Sequence, residues 1–148
     1  MGQLHPRDVS LKDLVQRSAA VLVVRPDEPE RLIVEVDVGR APPYPRIRWR
    51  YLVEEVLHGR SDAPATGKAL EVDEAHWRTS LNLHRRYVLE GLSRHVVVET
   101  YQPLHPPTAG APHLVFLSPG EDGWEYTVSG AREGMDARKK VVSLLRKR

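Results

Sequence analysis

Alternation of charged and apolar side chains in the run RIRWRYLVEEVLHG, residues 46–59, constrains the fold more than any other feature of the sequence. Arginine occupies positions 46, 48 and 50, and apolar residues occupy positions 47, 49, 51 and 53. Because successive side chains of a strand point to opposite faces, this run predicts a half-buried strand with an apolar inner face and an arginine outer face. The alternation breaks over residues 52–57, which predicts a bulge or bend in a strand that serves two sides of a small barrel.

Six further segments have the short, β-branched or alternating composition of strands. They are residues 20–24, 32–38, 68–73, 94–101, 113–117 and 123–128. Polar turn residues at 27–30 predict that the first two segments form a hairpin, and those at 121–123 predict a second hairpin between the last two. Residues 39–45 and 102–112 are rich in proline and are predicted to be loops.

Helical signals lie at both ends of the chain. Ser10 and Asp13 form a capping-box pattern before the helical spacing of residues 11–18. Residues 132–147 have a partial apolar stripe, which predicts a C-terminal helix. Trp77, Leu81 and His84 recur at near-helical spacing, and the sequence leaves open whether residues 74–93 form helix or strand.

These elements predict one domain over residues 1–148, with a core barrel over about residues 20–130. The fold class is mainly β (α+β), a small antiparallel barrel of the oligonucleotide/oligosaccharide-binding (OB) kind with an N-terminal and a C-terminal helix. The sequence contains no internal repeat and no linker that would divide it.

Five short motifs carry a resemblance to a class of uncharacterised bacterial proteins. They are LVQRS at 14–18, VLVVRP at 21–26, EEVLHG at 54–59, Gly67 with LEV at 70–72, and either YVLEG at 87–91 or HLVFLSPGEDGWEYTV at 113–128. The chain resembles proteins whose barrel is the netrin-like or tissue-inhibitor-of-metalloproteinase-like version of the OB fold. The resemblance covers about two thirds of the chain and implies a fold but no active residue. Proteins of that class are usually exported, and residues 74–105 look like an insertion relative to them.

Composition narrows the function classes. The 22 basic and 20 acidic residues give a net charge of +2, so the whole chain has no nucleic-acid signature. The absence of cysteine excludes disulfides and thiolate metal sites. The first residues contain no apolar run of a signal peptide, and no stretch has the roughly 20 apolar residues of a membrane span. We therefore expect a cytoplasmic protein.

No catalytic motif is present, and we expect neither catalytic residues nor a cofactor. The sequence has no GxSxG serine, no phosphate loop and no HExxH or HxxxH spacing among its seven histidines. His76 and His84 follow the acidic cluster of residues 71–74, but on a helix they would lie about 80° apart around the axis, which fits one ion poorly. We predict no metal site. An enzyme with a cleft near Glu71–His84 remains the least favoured alternative.

The candidate binding residues are arginines. Arg46, Arg48 and Arg50 would stand about 6.6–7 Å apart along one strand face, as a ladder for phosphates or carboxylates. Arg85 and Arg86 add positive charge. Trp49 and Tyr51 should lie on the opposite face, whereas proteins that read single strands by stacking place aromatics and cations together. The leading hypothesis is a non-enzymatic protein-interaction or inhibitor-type module whose partner is another protein, and the alternative is a single-stranded nucleic-acid-binding protein.

The C-terminal segment is the second cationic candidate, because residues 137–148 contain six basic side chains and no acidic one. A basic helix can lie on an acidic partner or a membrane surface. The favoured interpretation is that Val142 and Leu145 dock it onto the barrel and leave its lysines in solvent.

Overall fold

A computed structural model describes residues 2–40, 42–90 and 94–148, and the side chains of residues 7–40, 42–86 and 99–148. The elements are, in chain order, β1 (Gly2–Asp8), α1 (Leu11–Arg17), β2 (Ala20–Val36), β3 (Tyr44–Gly59), β4 (Ala69–Asp73), α2 (Trp77–Glu90), β5 (Arg94–Thr100), β6 (His113–Gly120), β7 (Gly123–Tyr126), β8 (Arg132–Gly134), a 3-10 turn (Met135–Ala137) and α3 (Arg138–Arg146). The predicted mainly β fold with N-terminal and C-terminal helices is confirmed.

Five strands of the six-stranded sheet pair in a ring. β2 pairs antiparallel with β3 and β3 with β4, and β4 lies parallel to β7. β7 pairs antiparallel with β6, which returns to β2 and closes the ring. β8 continues the sheet beside the other end of β6. β1 and β5 form a separate parallel pair that the sequence analysis did not predict.

The predicted hairpin between residues 20–24 and 32–38 is wrong, because both segments belong to the single strand β2. Their common partner is β3, whose 16 residues span the whole ribbon. The polar residues 27–30 are a bulge, since the register passes from Pro26 opposite Tyr51 to Arg31 opposite Trp49. Turn-forming residues therefore interrupt the pairing without reversing the chain.

Bulges in β3 confirm the predicted break in its alternation. Opposite β2, the register omits Leu57 between His58 and Val56 and omits Glu54 between Glu55 and Val53. Each extra residue bends and twists the strand, so that β3 turns from one side of the ring to the next.

The core lies inside the ring and beneath α1 and α3. Residues 20–24 of β2 and 114–117 of β6 are at most 3% exposed. These two runs do not alternate because the side chains on both of their faces are buried in the core. Burying each large aliphatic side chain contributes about 1.5–3 kcal/mol of favourable transfer free energy.

The N-terminal helix is confirmed with its cap. The Ser10 hydroxyl accepts a hydrogen bond from the Asp13 amide at 3.1 Å, and the helix ends at Arg17 with Ser18 as C-cap. Buried Ser18 donates to the Leu14 carbonyl at 2.7 Å, and its hydroxyl lies 2.8 Å from that of Thr127. The helix is thereby fixed to the ring by a satisfied polar contact.

The predicted C-terminal helix over residues 132–147 is too long at its start. Residues 132–134 are strand β8, paired with residues 113–115, and α3 begins at Arg138. Residues 132–134 stay extended because Glu133 is fully buried and binds loop 102–112. Its carboxylate accepts hydrogen bonds from the backbone amides of Leu104 and His105, each at 2.8 Å. Residues 77–90 of the undecided segment form helix α2, and residues 91–93 lie outside the described chain.

Candidate functional site

The arginine face consists of Arg46, Arg48 and Arg50, and the structure shows what lies opposite these side chains. The antiparallel register places Asp73 opposite Arg48 and Glu71 opposite Arg50. Cross-strand neighbours share a face of the sheet, so β4 presents two carboxylates to the three guanidiniums. Sequence reasoning found the arginines but did not predict these partners.

Asp73 is the centre of this cluster and is only 2% exposed. The guanidinium of Arg46 donates two hydrogen bonds to its carboxylate, both at 2.8 Å. Arg48 Nε lies 3.3 Å from Asp73 Oδ1, and Arg48 Nη1 lies 2.8 Å from Glu71 Oε2. Hydrogen bonding to Asp73 raises the pKa of Arg46. Two of the three arginines are therefore neutralised by carboxylates of the same protein.

Arg46 and Arg50 also have partners outside β4. The guanidinium of Arg46 stacks on the ring of Trp77 at 3.8 Å, where helix α2 begins. Arg50 lies 3.4 Å from Asp27 in the β2 bulge. The side chains of Arg46, Arg48 and Arg50 are 16%, 24% and 33% exposed, and each guanidinium has an ion-pair partner in the chain, so the face is not an open ladder of cations. The buried Nε of Arg48 makes an ion-pair contact with Asp73 but no hydrogen bond.

The other predicted cations lie on another element. Arg85 and Arg86 are on α2, with Arg85 exposed and Arg86 half-buried. The candidate ligands His76 and His84 are also separated: His84 Nε2 lies 2.8 Å from the Pro42 carbonyl oxygen, whereas His76 precedes α2 in a left-handed conformation with φ of 56°. In the part of the chain that the structure describes, no three His, Asp or Glu side chains form a group that could hold a metal ion.

A cavity of about 350 Å³ opens at the first turn of α2, close to the cleft considered in the sequence. Its lining residues are His76, Trp77, Arg78, Thr79, Pro119, Gly120, Glu121 and Glu125. Burial raises the pKa of the Glu125 carboxyl group. Arg78 is held by Glu121 at 2.7 Å and by Asp122 at 2.8 Å. The cavity thus combines one half-buried acid with a paired arginine.

A polar cluster inside the ring is the feature that sequence reasoning missed most completely. The hydroxyls of Tyr51 and Tyr126 are hydrogen-bonded to each other, and burial raises the pKa of Tyr51 to about 12. The ring of His113 packs edge-on against Tyr51 at 5.4 Å, and burial lowers its pKa. These groups are uncharged at neutral pH. The alternation of residues 46–53 assigns Tyr51 to the apolar inner face, and nothing in the sequence indicates that its hydroxyl meets that of Tyr126.

The free edge is residues 31–36 of β2. On one side these residues pair with β3, and no other strand among the described residues pairs with them on the opposite side. The side chains of Ile33 and Val34 are 55% and 45% exposed. A sheet edge with exposed aliphatic side chains is a template for pairing with another strand.

The hydrogen bonds of β3 determine which backbone groups the free edge presents. The Val53 amide donates to Lys68 and the Ile47 carbonyl accepts from Glu74, so odd-numbered residues of β3 point toward β4. Even-numbered residues of β3 therefore point toward β2, where residues 32, 34 and 36 oppose them. The N–H and C=O groups of Arg31, Ile33 and Glu35 consequently point away from the sheet.

The basic C-terminal helix is docked on the ring. Its Val141 side chain is fully buried, Val142 is half-buried, and Leu144 packs partly buried against the core. Arg138 Nη2 lies 2.5 Å from Glu55, and Arg148 donates to the carbonyls of Val15 at 3.0 Å and Ser18 at 2.8 Å at the end of α1. A cation at a helix C-terminus stabilises the unpaired carbonyls there. The prediction is right for Leu145, which is partly buried and packs against the core, whereas the fully buried valine of α3 is Val141 and not Val142.

No family model matches this chain, and no curated protein matches it. Among the described residues, no helix is both long enough and apolar enough to cross a membrane.

Proposed function

We propose that this protein is a non-enzymatic protein-interaction module that binds its partner through the free edge. The observation that carries the proposal is the outward row of backbone groups at Arg31, Ile33 and Glu35 beside the exposed side chains of Ile33 and Val34. Strand addition uses such an edge: main-chain hydrogen bonds give affinity, and alternate side chains give specificity. An inhibitor-type role is a narrower form of the same proposal.

Because the charges of the arginine face are already paired, a protein is a better candidate for the partner than a nucleic acid. A nucleic-acid site gains most of its affinity when cations replace the counterions of phosphates. Arg46 and Arg48 already share the buried carboxylate of Asp73, so phosphate would have to displace it. The proposed setting is the cytoplasm, in line with a sequence that has no cysteine.

Single-stranded nucleic acid remains the second candidate because of the surroundings of Trp49. The guanidinium of Arg132 lies 4.9 Å from the Trp49 ring centroid and that of Arg31 lies 6.0 Å from it. Aromatic and cationic groups thus meet at one place, as stacking proteins require. Binding of a labelled oligonucleotide that weakens steeply with salt would favour this candidate, and flat or absent binding would exclude it.

The test of the proposed function is affinity capture from host lysate with three matched baits: the natural chain, Ile33→Lys and Arg50→Gln. Each capture is done with and without nuclease. Ile33→Lys places a charge on the free edge, whereas Arg50→Gln removes a part-exposed ion pair of the arginine face. We expect a stoichiometric partner that resists nuclease, is retained by Arg50→Gln and is lost with Ile33→Lys. Equal capture by all three baits would contradict the proposal.

A further inference from the structure

We infer that the partner of the free edge is a second copy of this chain, paired antiparallel about a two-fold axis at Ile33. The inference rests on the proposed function and names the occupant of that same edge. It follows from three properties of the sequence RLIVE, residues 31–35, considered at its place in the sheet.

The backbone geometry permits the pairing. About a two-fold axis at Ile33, each Arg31 lies opposite the Glu35 of the other copy, and the two Ile33 residues lie opposite each other. These are the residues whose N–H and C=O groups point outward, so all three residue pairs can exchange two backbone hydrogen bonds. Pro29 lacks an N–H and limits the pairing at one end.

The charges are self-complementary in this register. The antiparallel arrangement brings the guanidinium of Arg31 to the carboxylate of Glu35 twice, once at each side of the axis. Directly opposed charges of opposite sign stabilise a strand pair, whereas like charges destabilise it. An axis at Val34 would instead place Ile33 opposite a glutamate and would pair Arg31 with Asp37, whose carboxylate already accepts from the Gly39 amide at 2.8 Å. Only the axis at Ile33 joins apolar with apolar and arginine with glutamate.

The apolar side chains also match. Ile33 lies directly opposite Ile47 within the chain, so the two copies would form a row of four isoleucines across a four-stranded sheet. On the other face, Val34 of each copy would lie opposite Leu32 of the other copy. The pairing covers Ile33 and Val34, which are among the most exposed large aliphatic side chains described. Removing this apolar surface from water provides the driving force of the association.

The experiment is a concentration series of the purified chain in the analytical ultracentrifuge, with charge-reversal variants. The natural chain should change from monomer to dimer as concentration rises. Arg31→Glu alone opposes carboxylates and Glu35→Arg alone opposes guanidiniums, so each should weaken dimerisation by roughly ten- to a hundredfold. An equimolar mixture of these two variants restores both opposite-charge pairs and should form heterodimers, and the double variant R31E/E35R should form homodimers again.

Far-ultraviolet circular dichroism of each variant shows whether the fold is intact, and recovery in the mixture cannot arise from misfolded chains. A natural chain that stays monomeric at every concentration would overturn the inference, as would a dimer that is equally strong in both single variants. Because only purified chain is present, such a result would leave capture of a different protein by the free edge unaffected. Loss of the proposed function would show instead as equal capture by the three baits.

Discussion

The arginine face and the free edge belong to the same two-stranded ribbon, yet they are opposite in how their bonding groups are used. On the arginine face, the charges of Arg46 and Arg48 are matched by Asp73, which is 2% exposed. On the free edge, the outward N–H and C=O groups of Ile33 have no partner strand in the described chain, and its side chain is 55% exposed. The charges of the arginine face are therefore paired within the chain, whereas the backbone groups of the free edge are available to bond another strand.

This difference teaches that a strand pattern identifies faces but not the neighbours of those faces. The alternation of residues 46–53 indicated correctly that arginines share a face. Whether that face is open depends on Glu71 and Asp73 of β4, which lie on it because β4 pairs with β3. A charged face is a candidate binding surface only after its cross-strand partners are known.

The largest expected effect comes from breaking the arginine face at its centre. Asp73→Ala removes the carboxylate that two partly buried guanidiniums share, so the free energy of unfolding should fall by about 3–5 kcal/mol. Urea unfolding followed by tryptophan fluorescence measures the change. Glu71→Gln is the matched control, because Glu71 is 48% exposed and an exposed pair contributes less than about 1 kcal/mol. Equal losses for both variants would show that Asp73 is not the centre of the cluster.

The second prediction compares aliphatic residues of the same strand. Leu22 is fully buried in the ring, and Leu22→Ala should lower the free energy of unfolding by about 2–5 kcal/mol. Ile33→Ala, on the free edge, should change it by less than about 0.5 kcal/mol when measured at a concentration where the chain is monomeric. A large loss for Ile33→Ala in dilute monomer would mean that the edge is covered within the chain.

The third prediction concerns the ring interior, where burial disfavours a positive charge on His113. Burial lowers the pKa of His113, so the unfolded chain binds a proton more readily than the folded chain. The contribution of His113 to the free energy of unfolding is fully present above about pH 6.5, the ordinary histidine pKa. It falls as the pH decreases toward the pKa of His113 in the folded chain. His113→Asn retains a donor for the Ala111 carbonyl and should flatten this part of the stability profile. An unchanged profile between pH 7 and pH 5 would contradict the assignment.

The weakest ion pair of the arginine face is expected at its margin. Arg50 contacts Asp27 at 3.4 Å with both side chains about one third exposed. Arg50→Gln should therefore change the free energy of unfolding by less than about 1 kcal/mol. A double-mutant cycle with Asp27→Asn measures the coupling between the two side chains. A coupling as large as the loss at Asp73 would remove the distinction between the centre and the margin of this face.

The sequence predicted the fold class because its signals are local. The capping residues of α1, the bulges of β3 and the buried strand at residues 113–117 follow from spacing and composition. The predicted hairpin of residues 20–38 is wrong because a polar segment with prolines at positions 26 and 29 is equally suited to a turn and to a bulge, and the length of β3 decides between them. β8 was missed because Glu133 becomes a buried acceptor only when loop 102–112 packs on it.

The candidate site was predictable only in part. Arg46, Arg48 and Arg50 share a face as expected, but their neutralisation depends on contacts with β4 and the β2 bulge. The free edge follows from a global property, namely that β6 pairs with residues 20–24 of β2 and with none of residues 31–36. A local pattern contains no information about where a neighbouring strand ends.

Backbone amide hydrogen exchange across residues 31–36, measured by nuclear magnetic resonance at two protein concentrations, tests the central claim most directly. We predict that the even-numbered amides, which bond to β3, are protected at both concentrations. The odd-numbered amides of Arg31, Ile33 and Glu35 should exchange quickly in dilute protein and gain protection as the concentration rises. Equal protection of odd and even amides at every dilution would contradict the claim that this edge of the sheet is open and binds a partner.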